Sequence, residues 1–150
     1  MSKPVEISFC AVDPEALAGA EGRLAIFVGA DGKLDRLARR VNTLSRGAVA
    51  RLVASPAFAR LEEGAALSLA FPAGLAAEAV DVVRLEPRAG ALSARRAGGT
   101  LAARQGTAAL LVLAGSRTHA CEISLGLALR SYRFEAHKSA EPEARGAVRL

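Results

Sequence analysis

Cysteine, histidine and aromatic side chains are scarce in this 150-residue chain, which holds two Cys, two His, one Tyr, five Phe and no Trp. Two cysteines, Cys10 and Cys121, exclude a disulfide framework and a four-Cys zinc site. His119 and His137 are too few for a His-rich metal site, and His119 and Cys121 stand two apart on a predicted helix, pointing in different directions. Cys10 falls inside a predicted strand with no base beside it, so it reads as a small hydrophobe rather than a nucleophile. No apolar run reaches the roughly 18 residues of a membrane-spanning helix. Glu6 comes too early for a secretory signal. These absences predict a domain of the reducing cytoplasm with no membrane partner.

Lysine is rare as well. Arg supplies seventeen of the twenty basic residues, for a net charge of +5. What the chain does have is Ala, at 34 positions, and a hydrophobic fraction of 51%. That is enough to bury a core, and the length is that of one domain.

The apolar pattern switches period along the chain. Residues 5–12 alternate and then become apolar, which reads as a strand; Asp13-Pro14-Glu15 reads as a loop. Arg23-Leu24-Ala25-Ile26-Phe27-Val28 reads as a strand buried on both faces, closed by the turn Gly29-Ala30-Asp31-Gly32. From Leu34, the residues Leu37, Val41, Leu44, Ala48 and Leu52 recur at helical spacing, with Asp31 as the expected cap, a break at Gly47 and a stop before Pro56. Strands follow over 66–71, 79–85 and 107–114. Residues 91–104 read as an Ala- and Arg-rich helix with Leu92, Ala102 and Ala103 apolar, weakened by Gly98-Gly99. Ser116 should cap a last helix running to about Phe134. Ala120, Ile123, Leu127 and Phe134 form its inward stripe, widened by Cys121, Leu125, Ala128 and Tyr132. This order predicts an α/β sandwich with helices on both faces of a mixed sheet. Residues 138–145 read as a linker, and 146–150 as the start of another element.

The search for chemistry yields little. Glu62-Glu63 and the Asp13/Glu15 pair read as solvated loop residues. Asp81 lies among valines, and strand alternation places it outward on an edge strand. Gly29-Ala30-Asp31-Gly32-Lys33 occupies the position where an α/β domain holds an anion, but it matches neither phosphate-loop pattern, and Asp31 would repel a phosphate. Arg36, Arg39, Arg40, Arg46 and Arg51 on the first helical segment, with Arg95 and Arg96 on another, could contact the phosphates of a DNA partner. The other reading of these arginines is a solvated face enriched in Arg by a GC-rich genome. The lack of interleaved aromatics excludes single-strand stacking and favours the second.

One string is specific. Glu122-Ile123-Ser124-Leu125-Gly126-Leu127-Ala128-Leu129-Arg130-Ser131-Tyr132-Arg133-Phe134, followed by Lys138, resembles the end of the N-terminal domain of the leucine aminopeptidases, where a Gly-Leu-x-Leu-Arg-Ser-Tyr-x-Phe helix leads into the catalytic domain. The earlier elements match that domain in order alone. The resemblance implies a macro-domain-like, three-layer α/β/α sandwich over 1–137. It implies that 138–150 form a linker and the start of a catalytic domain. It further implies a hexameric, peptide-trimming parent holding a divalent metal, Zn or Mn, in that other domain. The family's metal-binding strings, Asn-Thr-Asp-Ala-Glu-Gly and Gly-Lys-Gly-x-x-x-Asp, do not occur in this sequence, so the resemblance transfers no cofactor, metal ligand or catalytic residue to it. It gives Arg130, Tyr132, Arg133 and Phe134 a role in interdomain docking, with Leu127, Tyr132 and Phe134 anchoring the helix on the sheet. The macro-like architecture also raises an ADP-ribose or nucleotide pocket as an alternative. Many relatives carry a Gly-x-Gly-Lys turn after the fourth strand, and this chain reads Arg84-Leu85-Glu86-Pro87 there.

Overall fold

The computed structural model describes residues 5–115, 119–136 and 146–150, the last four of the middle stretch by backbone alone. The strands are β1 (Ile7–Ser8), β2 (Arg23–Val28), β3 (Ala66–Ala70), β4 (Ala79–Arg84), β5 (Leu110–Val112) and β6 (Val148–Arg149). The α-helices are α1 (Arg36–Leu44), α2 (Ala48–Val53), α3 (Pro56–Ala59), α4 (Ala91–Gln105) and α5 (Ala120–Ala136). The strands form one mixed sheet in the order β1-β6-β5-β2-β4-β3. Among the described residues only the β3–β4 pair is antiparallel.

β2 lies between β5 and β4, which is why its sequence is apolar at every position after Arg23. Leu24, Ile26 and Val28 face one layer, packed with Val41, Val49 and Phe58 of α1–α3. Ala25 and Phe27 face the other, packed with Ala97, Leu101, Ile123 and Leu127 of α4 and α5. The chain is thus a three-layer α/β/α sandwich, as the pattern predicts.

Several boundaries differ, each for a local reason. The first strand shrinks to two residues at the sheet edge, with Phe9 and Cys10 exposed beyond it. The 13–15 loop opens a 3-10 helix, Pro14–Gly19, because Pro14 sits at its first turn and the Asp13 carboxylate accepts from the Glu15 amide at 3.0 Å. Asp35, not Asp31, caps α1, accepting from the Ala38 amide at 2.8 Å. Gly47 does break the helical segment, with φ 79°, and α2 stops before Pro56. Ser116 lies outside the described residues.

A larger difference concerns the C-terminal end, and the expected helix over 91–104 forms with some of its apolar residues turned outward. Residues 146–150 do not stand apart as the start of a following domain: Val148 is fully buried, and β6 inserts in parallel between β1 and β5. The stretch 137–145 lies outside the described residues. α4 runs unbroken through Gly98-Gly99, with Leu92 and Ala103 exposed and Ala102 buried. The reason is packing. A Cβ on Gly98 would collide with the Ile123 carbonyl, and one on Gly126 with the Arg95 carbonyl. The two glycines let α4 and α5 approach backbone to backbone, which offsets the helix-propensity cost of about 1 kcal/mol for each Gly.

Candidate functional site

α5 sets out most of the residues singled out by the C-terminal string. Ile123 and Leu127 are fully buried against the sheet and α4, as the helical spacing requires. Tyr132 does not anchor the helix: it is 74% exposed. Cys121, Leu125 and Ala128 likewise face away from the core, so they form a second stripe rather than widening the first. Arg130 is exposed on another side of α5, at the groove shared with α4. The side chains of Arg133 and Phe134 lie outside the described set. Between α4 and α5 runs a surface groove of about 570 Å³, with Leu92, Arg95, Arg96, Leu129 and Arg130 along it. Arg95 pairs with Glu122 and Arg96 with Glu62 at 2.6 Å. The hydrogen bond from Arg95 holds the Glu122 carboxyl below the usual carboxylate range, and Arg96 does the same for Glu62.

A second concavity opens at the carboxyl ends of the parallel strands. It measures about 750 Å³ and is lined mainly by apolar groups, including Phe9, Leu37, Val112 and Leu150, with Asp35 and Arg36 at the start of α1. α1 follows β2 on one face and α5 follows β5 on the other, so this is the switch point where open α/β sheets hold ligands. The polar groups here do not favour a phosphate. The Glu86 carboxylate, in the turn after β4, accepts from the Ala30 amide at 2.6 Å. Neither Ala30 nor Glu86 lines the concavity itself. Asp35, which does line it, places a carboxylate at the crevice.

Arg36, Arg39, Arg46 and Arg51 are exposed, but Arg40 pairs with Glu15 at 3.1 Å and Arg51 donates to the Arg46 carbonyl at 2.9 Å. Among the described residues no group of three or more His, Cys, Asp or Glu side chains could hold a metal ion. The divalent metal implied by the resemblance therefore has no ligand set among them. Among the same residues no helix is long and apolar enough to cross a membrane.

Asp81 corrects the edge-strand expectation. It is fully buried on the second strand in from that edge. Its carboxylate receives Arg23 at 2.7 and 3.0 Å, in a bidentate pair, and the Ser68 hydroxyl at 2.5 Å. Arg104 from the end of α4 donates to Ser68 at 2.7 Å and to the Ala66 carbonyl at 2.8 Å. Asp81, chiefly through its hydrogen bond, raises the Arg23 pKa. The cluster sits at the amino ends of β2 and β4, away from the cleft, and satisfies a buried charge. The only sequence signal for it was an Asp among valines.

No family model matches the chain. Two probable cytosol aminopeptidases do: one from Cereibacter sphaeroides is 44% identical over 150 residues, and one from Dinoroseobacter shibae is 42% identical over 148. The chain is covered essentially whole, yet it spans only 31% and 30% of these relatives' own lengths. Among solved structures, the macrodomain of Mycobacterium tuberculosis DarG superposes with a TM-score of 0.66 over 97% of both chains at 9% identity, which shows the fold alone. The sandwich is therefore macro-domain-like, and along its whole length the chain is similar to about a third of two probable cytosol aminopeptidases.

Proposed function

We propose that the chain is the non-catalytic N-terminal domain of a cytoplasmic leucyl aminopeptidase that removes N-terminal amino acids from peptides. In this reading it supports assembly, docking or active-site shielding in the whole enzyme. The observation that carries the proposal is the match itself: 44% identity across the full chain, against only 31% of the relative's length. The rest of such a protein has ample length for the chemistry. A divalent metal, Zn or Mn, and the hexameric assembly belong to that remainder. Arg130 and Tyr132, with Arg133 and Phe134, are the proposed docking residues, because they lie on the last helix before the remainder.

The alternatives have less support. Asp35 disfavours an ADP-ribose phosphate at the crevice, and the basic segment spends Arg40 and Arg51 on internal contacts. The test is an aminoacyl-anilide assay with Zn²⁺ or Mn²⁺ on the 150-residue chain and on the full gene product. Turnover is expected from the full product only. Robust turnover by the chain alone would contradict the proposal.

A further inference from the structure

α5 is apolar on two opposite sides. Its inner side, Ile123 and Leu127, is consumed by the core. Its outer side carries Cys121, Leu125, Ala128, Leu129 and Tyr132 at helical spacing, all exposed. Leu129 is 53% exposed, and Leu92 across the groove is 79% exposed. A helix that covers a sheet and meets water ordinarily turns a polar face outward, and one that is apolar all round is buried. α1 follows the ordinary pattern, with Arg36 and Arg39 outward and Ala38 and Val41 inward.

We propose that the outer face of α5, with Leu92 of α4, docks onto the remaining part of the same polypeptide. The surface it meets there is apolar along the outer stripe, with a carboxylate reaching Arg130 in the groove between α4 and α5. This deepens the reading of the chain as the first domain of an aminopeptidase and rests on it. Three observations favour that occupant. The relatives are more than three times as long as the chain, so most of such a protein remains to cover the face. The segment carries a net charge of +5, which favours an acidic neighbour. Arg130 has no carboxylate partner among the described residues, whereas Arg95 and Arg96 already have theirs. A second copy meets that need poorly. The acidic groups around this groove are Glu62 and Glu122, already paired, and Glu63, which accepts from the Glu86 amide and the Ser93 hydroxyl.

Cys121 is a built-in reporter, since it opens the outer stripe and is exposed, while Cys10 lies on the cleft. With Cys10 changed to Ser, the rate of Cys121 alkylation by a maleimide is measured in the 150-residue chain and in the full gene product. At least tenfold protection is expected in the full product. Leu125→Asp with Leu129→Asp should remove that protection while leaving the thermal midpoint of the 150-residue chain unchanged. Should the paired aspartates unfold the full product, Leu129→Ser alone serves the same purpose. Equal alkylation rates in an active full-length aminopeptidase would overturn the docking face and leave the domain reading intact. Protection already present in the 150-residue chain, with a sedimenting dimer that Leu129→Asp disperses, would overturn it in favour of a second copy. A full gene product without aminopeptidase activity would overturn the domain reading, and the docking face with it.

Discussion

The two helical layers of this sandwich solve the same problem differently. The α1–α3 layer covers the sheet with short amphipathic pieces, joined at Gly47 and Pro56, and turns Arg36, Arg39, Arg46 and Arg51 to water. The α4–α5 layer covers it with two long helices held backbone to backbone through Gly98 and Gly126, and it turns Leu92, Leu125, Leu129 and Tyr132 outward. Both layers pack an inner stripe on the sheet, with Leu37, Leu44 and Leu52 of the first only partly buried, and the fold makes no use of the second apolar face of α5. The difference separates residues that hold the domain together from residues that wait for a neighbour. It also shows why a helix should be judged by both of its sides.

The sharpest way to break this comparison is Gly98→Ala. On an isolated helix the change would gain about 1 kcal/mol of propensity. Here the new methyl meets the Ile123 carbonyl, so the helices must separate. Overpacking of this kind costs about 1–3 kcal/mol, and backbone is slower to yield than a side chain. A net fall in the thermal midpoint is expected, and a rise would show that the close approach is not needed. In the other layer, Asp35→Ala removes the α1 cap and should cost about 1 kcal/mol by urea unfolding.

A smaller effect concerns the Arg95–Glu122 pair that bridges α4 and α5 at the surface. The Glu122 carboxyl is held below its ordinary range, mainly by its hydrogen bond from Arg95. Its contribution to stability is therefore present above the unfolded pKa and lost as pH falls through the lower folded value. Glu122→Gln should flatten the acid side of the stability profile slightly, and an unchanged profile would show that the pair is fully screened. Smallest of all is duplex DNA binding by the α1 face. None is expected at low salt. Binding that weakens steeply with salt and disappears with Arg36→Ala and Arg39→Ala would give the polar layer a partner too.

Much of the sandwich was legible because its central strands are buried on both faces. β2 is an apolar run of strand length after Arg23, β4 is a valine-rich run interrupted by Asp81, and Gly47 and Pro56 punctuate the helices by their own backbone chemistry. What escaped is what depends on distant partners. Asp81 reads as outward until Arg23, 58 residues away, is brought beside it. β6 reads as the start of something new because its partners, β1 and β5, lie far back in the chain. Gly98 reads only as a weak point of its helix because propensity does not register a neighbouring backbone. On α5, two apolar stripes merge into one broad stripe when only periodicity is considered, so Tyr132 was placed on the inside. The outer face became visible only once the sheet had chosen its side.

The most direct measurement is therefore on α5 itself: the urea unfolding free energies of Leu127→Ala and Leu129→Ala, side by side in the 150-residue chain. Leu127 is fully buried and should cost about 2–5 kcal/mol. Leu129 is half exposed and should stay within about 0.5 kcal/mol of the parent. Similar losses for the two would contradict the account, because both faces of α5 would then belong to the fold of this domain.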